Sequence, residues 1–120
     1  MDEFIATCLT DVLNACTEVE QFFSDQPRIY DRFKNDTLRI RAVERNVEIM
    51  GEAINRILKQ DPLFELPNAR AIIQTRNRVI HGYDSVTTEF LWSLVINHIP
   101  KLKQDVEKLL SDSQINAFFN

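Results

Sequence analysis

The sequence predicts an all-α protein built as an antiparallel four-helix bundle, and three observations carry that expectation. Apolar residues recur at three- and four-residue steps through four long stretches. Segments rich in proline and polar turn formers separate those stretches. With only two glycines and four prolines in 120 residues, the chain has too few turn residues for a β-sandwich. Hydrophobic residues make up 44% and charged residues 27%, an ordinary balance for a soluble domain. The length suits one domain spanning residues 1–120 with a modest core.

Ile5, Cys8, Leu9, Val12, Leu13, Cys16, Val19, Phe22 and Phe23 give the first helix, Glu3 to Phe23, one apolar stripe. "SDQPRIYDRFKND" then interrupts the period, with Ile29, Tyr30 and Phe33 suited to a short helical turn inside it. A second long helix fits Thr37 to Lys59, capped by Asp36 or Thr37, with Leu38, Ile40, Val43, Val47, Met50, Ile54, Ile57 and Leu58 on its core face. Glu44, Glu48 and Glu52 align at four-residue spacing, a repulsive arrangement that Arg41, Arg45 and Arg56 stand near enough to offset. Gly51 and Ala53 flank Glu52 and leave room for another helix to approach closely.

"QDPLFELPNA" reads as a loop, after which Pro67 or Asn68 opens a third helix carrying Ile72, Ile73, Val79 and Ile80 up to His81. Gly82 is its natural terminator, because glycine takes the left-handed conformation at C′ without penalty. A fourth helix starts near Thr87 or Thr88, with Glu89 in its first turn, and runs through Phe90, Leu94, Val95, Ile99, Leu102, Val106, Leu109 and Leu110. Pro100 should kink it, and the tail "SQINAFF" is expected to add one short extra turn.

No apolar run approaches the roughly 20 residues that cross a bilayer. The acidic start, MDEFIATCLTDV, lacks the basic n-region of a secretory signal, so a cytoplasmic location without membrane contact is expected. Cys8 and Cys16 stand eight apart on one helix, about 12 Å along its axis, too far to bridge each other. Together with the distant His81 and His98 they form no metal-site spacing, so no metal is expected.

Charge is distributed unevenly. Residues 1–26 hold six acids and no base, whereas 27–45 hold six bases against three acids. Residues 66–83 hold Arg70, Arg76 and Arg78 and no acid. A chain of net charge −4 therefore keeps two basic segments, each able to hold a phosphate locally.

The second of these contains the densest chemistry, "TRNRVIHGYDSV" at residues 75–86. One account is structural: an imidazole and arginines near a helix C-terminus gain about 0.3–1 kcal/mol each from the carbonyl dipoles. The other is catalytic. Metal-free cleavage of a phosphodiester needs a base for the nucleophile and a cation for the charge building on phosphorus. Histidine and arginine supply these, and RNA brings its own 2′-hydroxyl nucleophile. Asn77 and His81 are four apart and share a face, so Asn77 could orient the ring or touch the phosphate. Arg76 and His81 are five apart, about 140° round the axis and about 7.5 Å along it. They flank a site more easily than they share a face, and two copies about a two-fold axis would complete a cleft. Arg78, three from His81, is the rival cation, and spacing does not choose between them.

Arg76-Asn77-Arg78-Val79-Ile80-His81-Gly82-Tyr83 resembles the Arg, four residues, His, any residue, Tyr pattern of the HepT branch of the HEPN superfamily. "RAVERNVEIMGEAINRI" (41–57) looks like the helix that precedes this motif in the family. The family often has Pro-Trp before the motif helix, where this chain has Asn68 after Pro67. The resemblance implies a homodimeric, metal-independent endoribonuclease toxin of a type VII toxin–antitoxin system, with RNA as substrate. It implies Arg76 and His81 as the catalytic pair, with Asn77 and Arg78 supporting. It further implies a partner antitoxin, an MntA-like nucleotidyltransferase, joined to the toxin in a larger hetero-oligomer. That partner would silence the toxin by moving AMP from ATP to Tyr83, so ATP serves the antitoxin and the toxin itself needs no cofactor. Bulk and phosphate charge at Tyr83 would then block RNA. The alternative is a non-catalytic nucleotide- or partner-binding module of the same fold.

Overall fold

Three helices begin at a short polar side chain that accepts an otherwise orphaned N–H. In the computed structural model, which describes residues 1–81 and 86–119 with the side chains of 79–81 and 114–119 left out, Asp2 caps α1 (Glu3–Gln21) by accepting from the Phe4 amide at 2.7 Å. Asp36 caps α3 (Thr37–Gln60) through the Arg39 amide at 3.1 Å, and Thr87 caps α5 (Thr88–Ser93) through that of Phe90 at 3.1 Å. The four-residue α2 (Tyr30–Phe33) lies in the first connection, and α4 (Arg70–His81) follows α3. A π-helical turn, Leu94–His98, joins α5 to α6 (Ile99–Phe119).

Side-chain ties at opposite ends show that α1 and α3 run antiparallel. Gln60, at the end of α3, bonds Asp2 at the start of α1. Arg39, at the start of α3, donates from Nε to the Phe22 carbonyl at 2.7 Å, just past the end of α1. Lys103 of α6 reaches Glu20 near the end of α1 at 2.8 Å, and Asn68 before α4 donates to Asp105 of α6 at 2.6 Å. Between these ties lies one core, formed by Leu9, Val12 and Cys16 of α1, Val47, Met50 and Ile54 of α3, Ile72 of α4, and Leu94, Ile99 and Leu102 from the last helical run. The architecture is all-helical among the described residues, as expected.

Several boundaries differ from expectation for local reasons. α1 ends at Gln21, and Phe22 and Phe23 belong to the connection, with Phe23 still buried in the core. There Phe23 and Phe33 pack on Trp92 with ring centroids 5.6 and 5.0 Å away, an aromatic cluster that holds α2 against α5. Leu38 is 79% exposed, not core, because it stands five residues from Val43, about 140° round α3 from the buried stripe, and Ile40 is only half-buried. Phe90 is likewise 40% exposed. α4 starts at Arg70, since the Ala69 amide closes a turn onto Leu66 first.

Just before Pro100 the last helical run departs from regular α geometry. Proline removes an N–H and crowds the carbonyl four residues back. The chain absorbs this one turn earlier, where the Ile99 amide reaches the Leu94 carbonyl five residues back. The tail forms no separate turn: α6 continues to Phe119. Gly82, expected to terminate α4, lies outside the described residues, as do the side chains of Val79 and Ile80.

Candidate functional site

α4 sits in the bundle by burying one side and exposing the other. Ala69, Ile72 and Thr75 are buried, and the Thr75 hydroxyl satisfies itself on the Ala71 carbonyl at 2.8 Å. Arg70, Gln74, Asn77 and Arg78 face solvent. Arg76 falls between these sides and is half-buried.

Its position depends on Gly51 of α3. A Cβ on Gly51 would lie 2.6 Å from Arg76 Cβ and 2.7 Å from Cγ, inside any tolerable contact. The missing side chain is what lets the arginine stem lie flat along α3, as the Gly51–Ala53 pair suggested. Arg76 Nε is buried there with no hydrogen-bond partner among the described residues, and Nη1 donates to Asn77 Oδ1 at 3.3 Å. Asn77 is thus tied to Arg76, a pairing that spacing alone did not indicate.

Arg76 lines an open cleft of ≈ 510 Å³ with Glu52, Asn55, Arg56, Leu58 and Lys59 of α3. Glu52 is bound to Arg56 at 2.7 Å, so three cations face one carboxylate. No ion pair to Lys59, Arg76 or Arg78 occurs among the described residues. The rest of the glutamate row is neutralised as expected, Glu44 by Arg41 at 3.4 Å and Glu48 by Arg45 at 3.2 Å. The row is an ion-paired face, and its last member borders the cleft.

His81 is the last residue of α4, five positions after Arg76 on the same unbroken helix, and its ring is outside the described side chains. Tyr83 lies outside the described residues altogether. The structure therefore brings Arg76 and Asn77 together, leaves Arg78 exposed, and fixes His81 by its backbone alone.

Asn55, Lys59 and the cleft itself went unnoticed in the sequence. Their only signal was a glycine inside a strong helical pattern, which marks a close approach without naming the neighbour. Asn46 is a second such residue, buried on α3 with its amide donating to the Ala42 carbonyl at 3.0 Å.

The free cysteines are both buried. Burial, with the nearby Glu20 charge, pushes the Cys16 thiol up to about 12, so it is no nucleophile at neutral pH. Among the described residues, no group of three or more His, Cys, Asp or Glu side chains could hold a metal ion, and no helix is long and apolar enough to cross a membrane.

Comparison with known proteins adds to this geometry. A family profile described as "Ribonuclease HepT-like" matches residues 12–109. "Probable ribonuclease HepT" of Thermococcus cleftensis is 33% identical, the match covering 84% of this chain and 91% of that one. "Putative RNase MJ1380" of Methanocaldococcus jannaschii is 34% identical, over 82% of this chain and 90% of the relative. From the same organism, "Putative RNase MJ0127" is 28% identical over 87% and 85%. No solved structure matches the chain. A profile that spans α1 to α6 and takes in the whole Arg76–His81 helix settles the family: the chain belongs to the ribonuclease HepT-like proteins of the HEPN superfamily.

Proposed function

We propose that this protein is a metal-independent endoribonuclease, the toxin of a toxin–antitoxin pair, with Arg76 and His81 as its catalytic residues. Family membership supports RNA cleavage. The observation that carries the assignment of Arg76 over Arg78 is the packing against Gly51, which pre-positions one guanidinium at a cationic cleft while the other stays exposed. A cation held before substrate arrives costs no reorganisation when charge develops.

In this reading His81 takes the proton from a ribose 2′-hydroxyl, and the 2′-oxygen attacks the adjacent phosphorus. The P–O5′ bond breaks, and the departing 5′-oxygen takes a proton from solvent. A 2′,3′-cyclic phosphate and a 5′-hydroxyl remain. Arg76 holds the equatorial oxygens through its planar fork, and Asn77 steadies that guanidinium. Because Arg76 and His81 stand about 140° apart on one helix, a two-fold pair of chains completes the cleft. A nucleotidyltransferase antitoxin silences the enzyme at Tyr83: the phenol oxygen attacks the α-phosphorus of ATP and pyrophosphate leaves. The added AMP sets bulk and negative charge beyond the arginines.

The test is RNA cleavage in excess EDTA by the unmodified protein, beside Arg76→Ala and His81→Ala. Cleavage by the wild type alone, with cyclic phosphate ends, is the expected result. Cutting that survives either substitution, or that needs a divalent ion, would overturn the assignment.

A further inference from the structure

The cationic cleft has an apolar neighbour. A pocket of ≈ 400 Å³ opens between the second half of α3, the following loop and the start of α4, walled by Ile54, Leu58, Phe64 and Ile73 with the exposed Arg70 and Gln74 among its lining residues. Leu58 lines both spaces, so pocket and cleft meet across one side chain. On one side stand an apolar wall, a half-buried phenyl ring and an amide. On the other stand Lys59, Arg56 and Arg76.

We propose that pocket and cleft together form a nucleotide subsite for single-stranded RNA. The base enters the pocket against Leu58, Ile73 and Phe64, with Gln74 offering a donor and an acceptor to its edge. The neighbouring backbone phosphate lies on Lys59 and Arg56. The subsite rests on the ribonuclease reading, since it extends from Arg76 away from His81 and would hold the nucleotide next to the scissile one.

The chemistry fits one strand and not a duplex. A base reaches an apolar pocket only when it is unstacked, and apolar or aromatic walls accept any base by its face. The pocket volume lies within the roughly 300–1,000 Å³ of small-ligand sites. Lys59 has no carboxylate partner among the described residues, and Arg56 shares its charge with Glu52, so a phosphate finds net positive charge there. A net acidic chain needs such a local field to hold RNA at all.

The two halves separate in one experiment, binding of a labelled, uncleavable 2′-O-methyl oligoribonucleotide at several salt concentrations. Lys59→Glu removes a phosphate contact. It should weaken binding about tenfold at low salt and lower the log–log salt slope by about 0.7. Gln74→Trp fills the pocket from an exposed position. It should weaken binding several-fold and leave the slope unchanged. Lys108→Glu, an equal charge change on the exposed side of α6, should do neither. Circular dichroism melts check that each variant folds.

If Lys59→Glu matches Lys108→Glu, or Gln74→Trp binds as wild type does, the subsite is overturned. The ribonuclease reading would still stand if the wild type cuts RNA in EDTA. If the wild type cuts nothing and both variants behave as expected, the subsite holds and the catalytic reading fails.

Discussion

Gly51 and Arg76 are in contact across the α3–α4 seam so closely that a single methyl group on the glycine would overlap the arginine stem. Gly51→Ala therefore sets two effects against each other. Alanine gains roughly 0.5–1 kcal/mol of helix propensity, and overpacking costs roughly 1–3 kcal/mol. The second outweighs the first, because Cβ and Cγ are the rigid root of the side chain and not its mobile end. We expect a melting temperature lower by a few degrees and an RNA cleavage rate down at least tenfold. A thermal melt and a cleavage time course check both, and an unchanged rate would detach Arg76's position from its role.

Arg76→Lys should be nearly as damaging as Arg76→Ala. Lysine keeps the charge and loses the planar fork that grips two phosphate oxygens. Removing one pre-positioned donor of this kind costs on the order of 10²–10³ in turnover. Arg78→Lys, at an exposed position, should stay within a few-fold of wild type. If the two substitutions behave alike, the cation has been assigned to the wrong arginine.

The cysteines should be silent in the folded protein. With its thiol pushed up to about 12, only about one Cys16 in ten thousand is thiolate at pH 8. Native protein mixed with a thiol-specific disulfide reagent should leave Cys16 unlabelled over minutes and label it fully in denaturant. Rapid native labelling of Cys16 would mean that the α1–α6 contact opens readily.

Asp36 ties capping to pH. Its carboxylate accepts from the Arg39 guanidinium at 2.6 Å and from the Arg39 amide, which holds it below its ordinary 3.8. A depressed carboxyl contributes stability in full above its unfolded value and loses it as pH falls through the lower folded value. Asp36→Asn keeps a cap acceptor and loses the charge, so it should melt below wild type at pH 7. That gap should begin to shrink as pH falls below about 3.8 and go on shrinking toward the lower folded value. A gap that stays constant as pH is lowered would point to the cap geometry and not the charge.

Lys103 behaves in the opposite sense. The Glu20 carboxylate at 2.8 Å holds the ammonium above its ordinary 10.5, so the pair is fully present below that value and lost as pH rises through the folded one. Glu20→Gln should cost about 0.2–1 kcal/mol at pH 7, and a denaturant series repeated above pH 11 should show the difference shrinking.

Much of this was legible from residue order. The period of Ile5 to Val19 and of Val43 to Ile57 identified two helices, because a buried stripe leaves a 3.6-residue signature whatever it packs against. The cap of α3 showed as Asp36 or Thr37 and the start of α5 as Thr87 or Thr88, because capping is local chemistry; the structure puts Asp36 and Thr87 there. Leu38 misled because it was counted with a stripe that it stands about 140° away from, and Phe90 because periodicity names a face and does not say how far a neighbour reaches along it. At the site, Arg76 and His81 stood out by type and spacing, while Asn55 and Lys59 look like any polar positions on a helix.

The sequence by itself determined the helices, their caps, the ion-paired glutamate face and the family's motif, since each depends on residues within a few positions of one another. Tertiary structure decided which arginine is anchored, that α3 supplies the cleft's other cations, and how Pro100 is absorbed by a π turn. Those features depend on contacts between residues 25 apart or on the strain of packing a whole helix. No local pattern encodes where α4 comes to rest on Gly51.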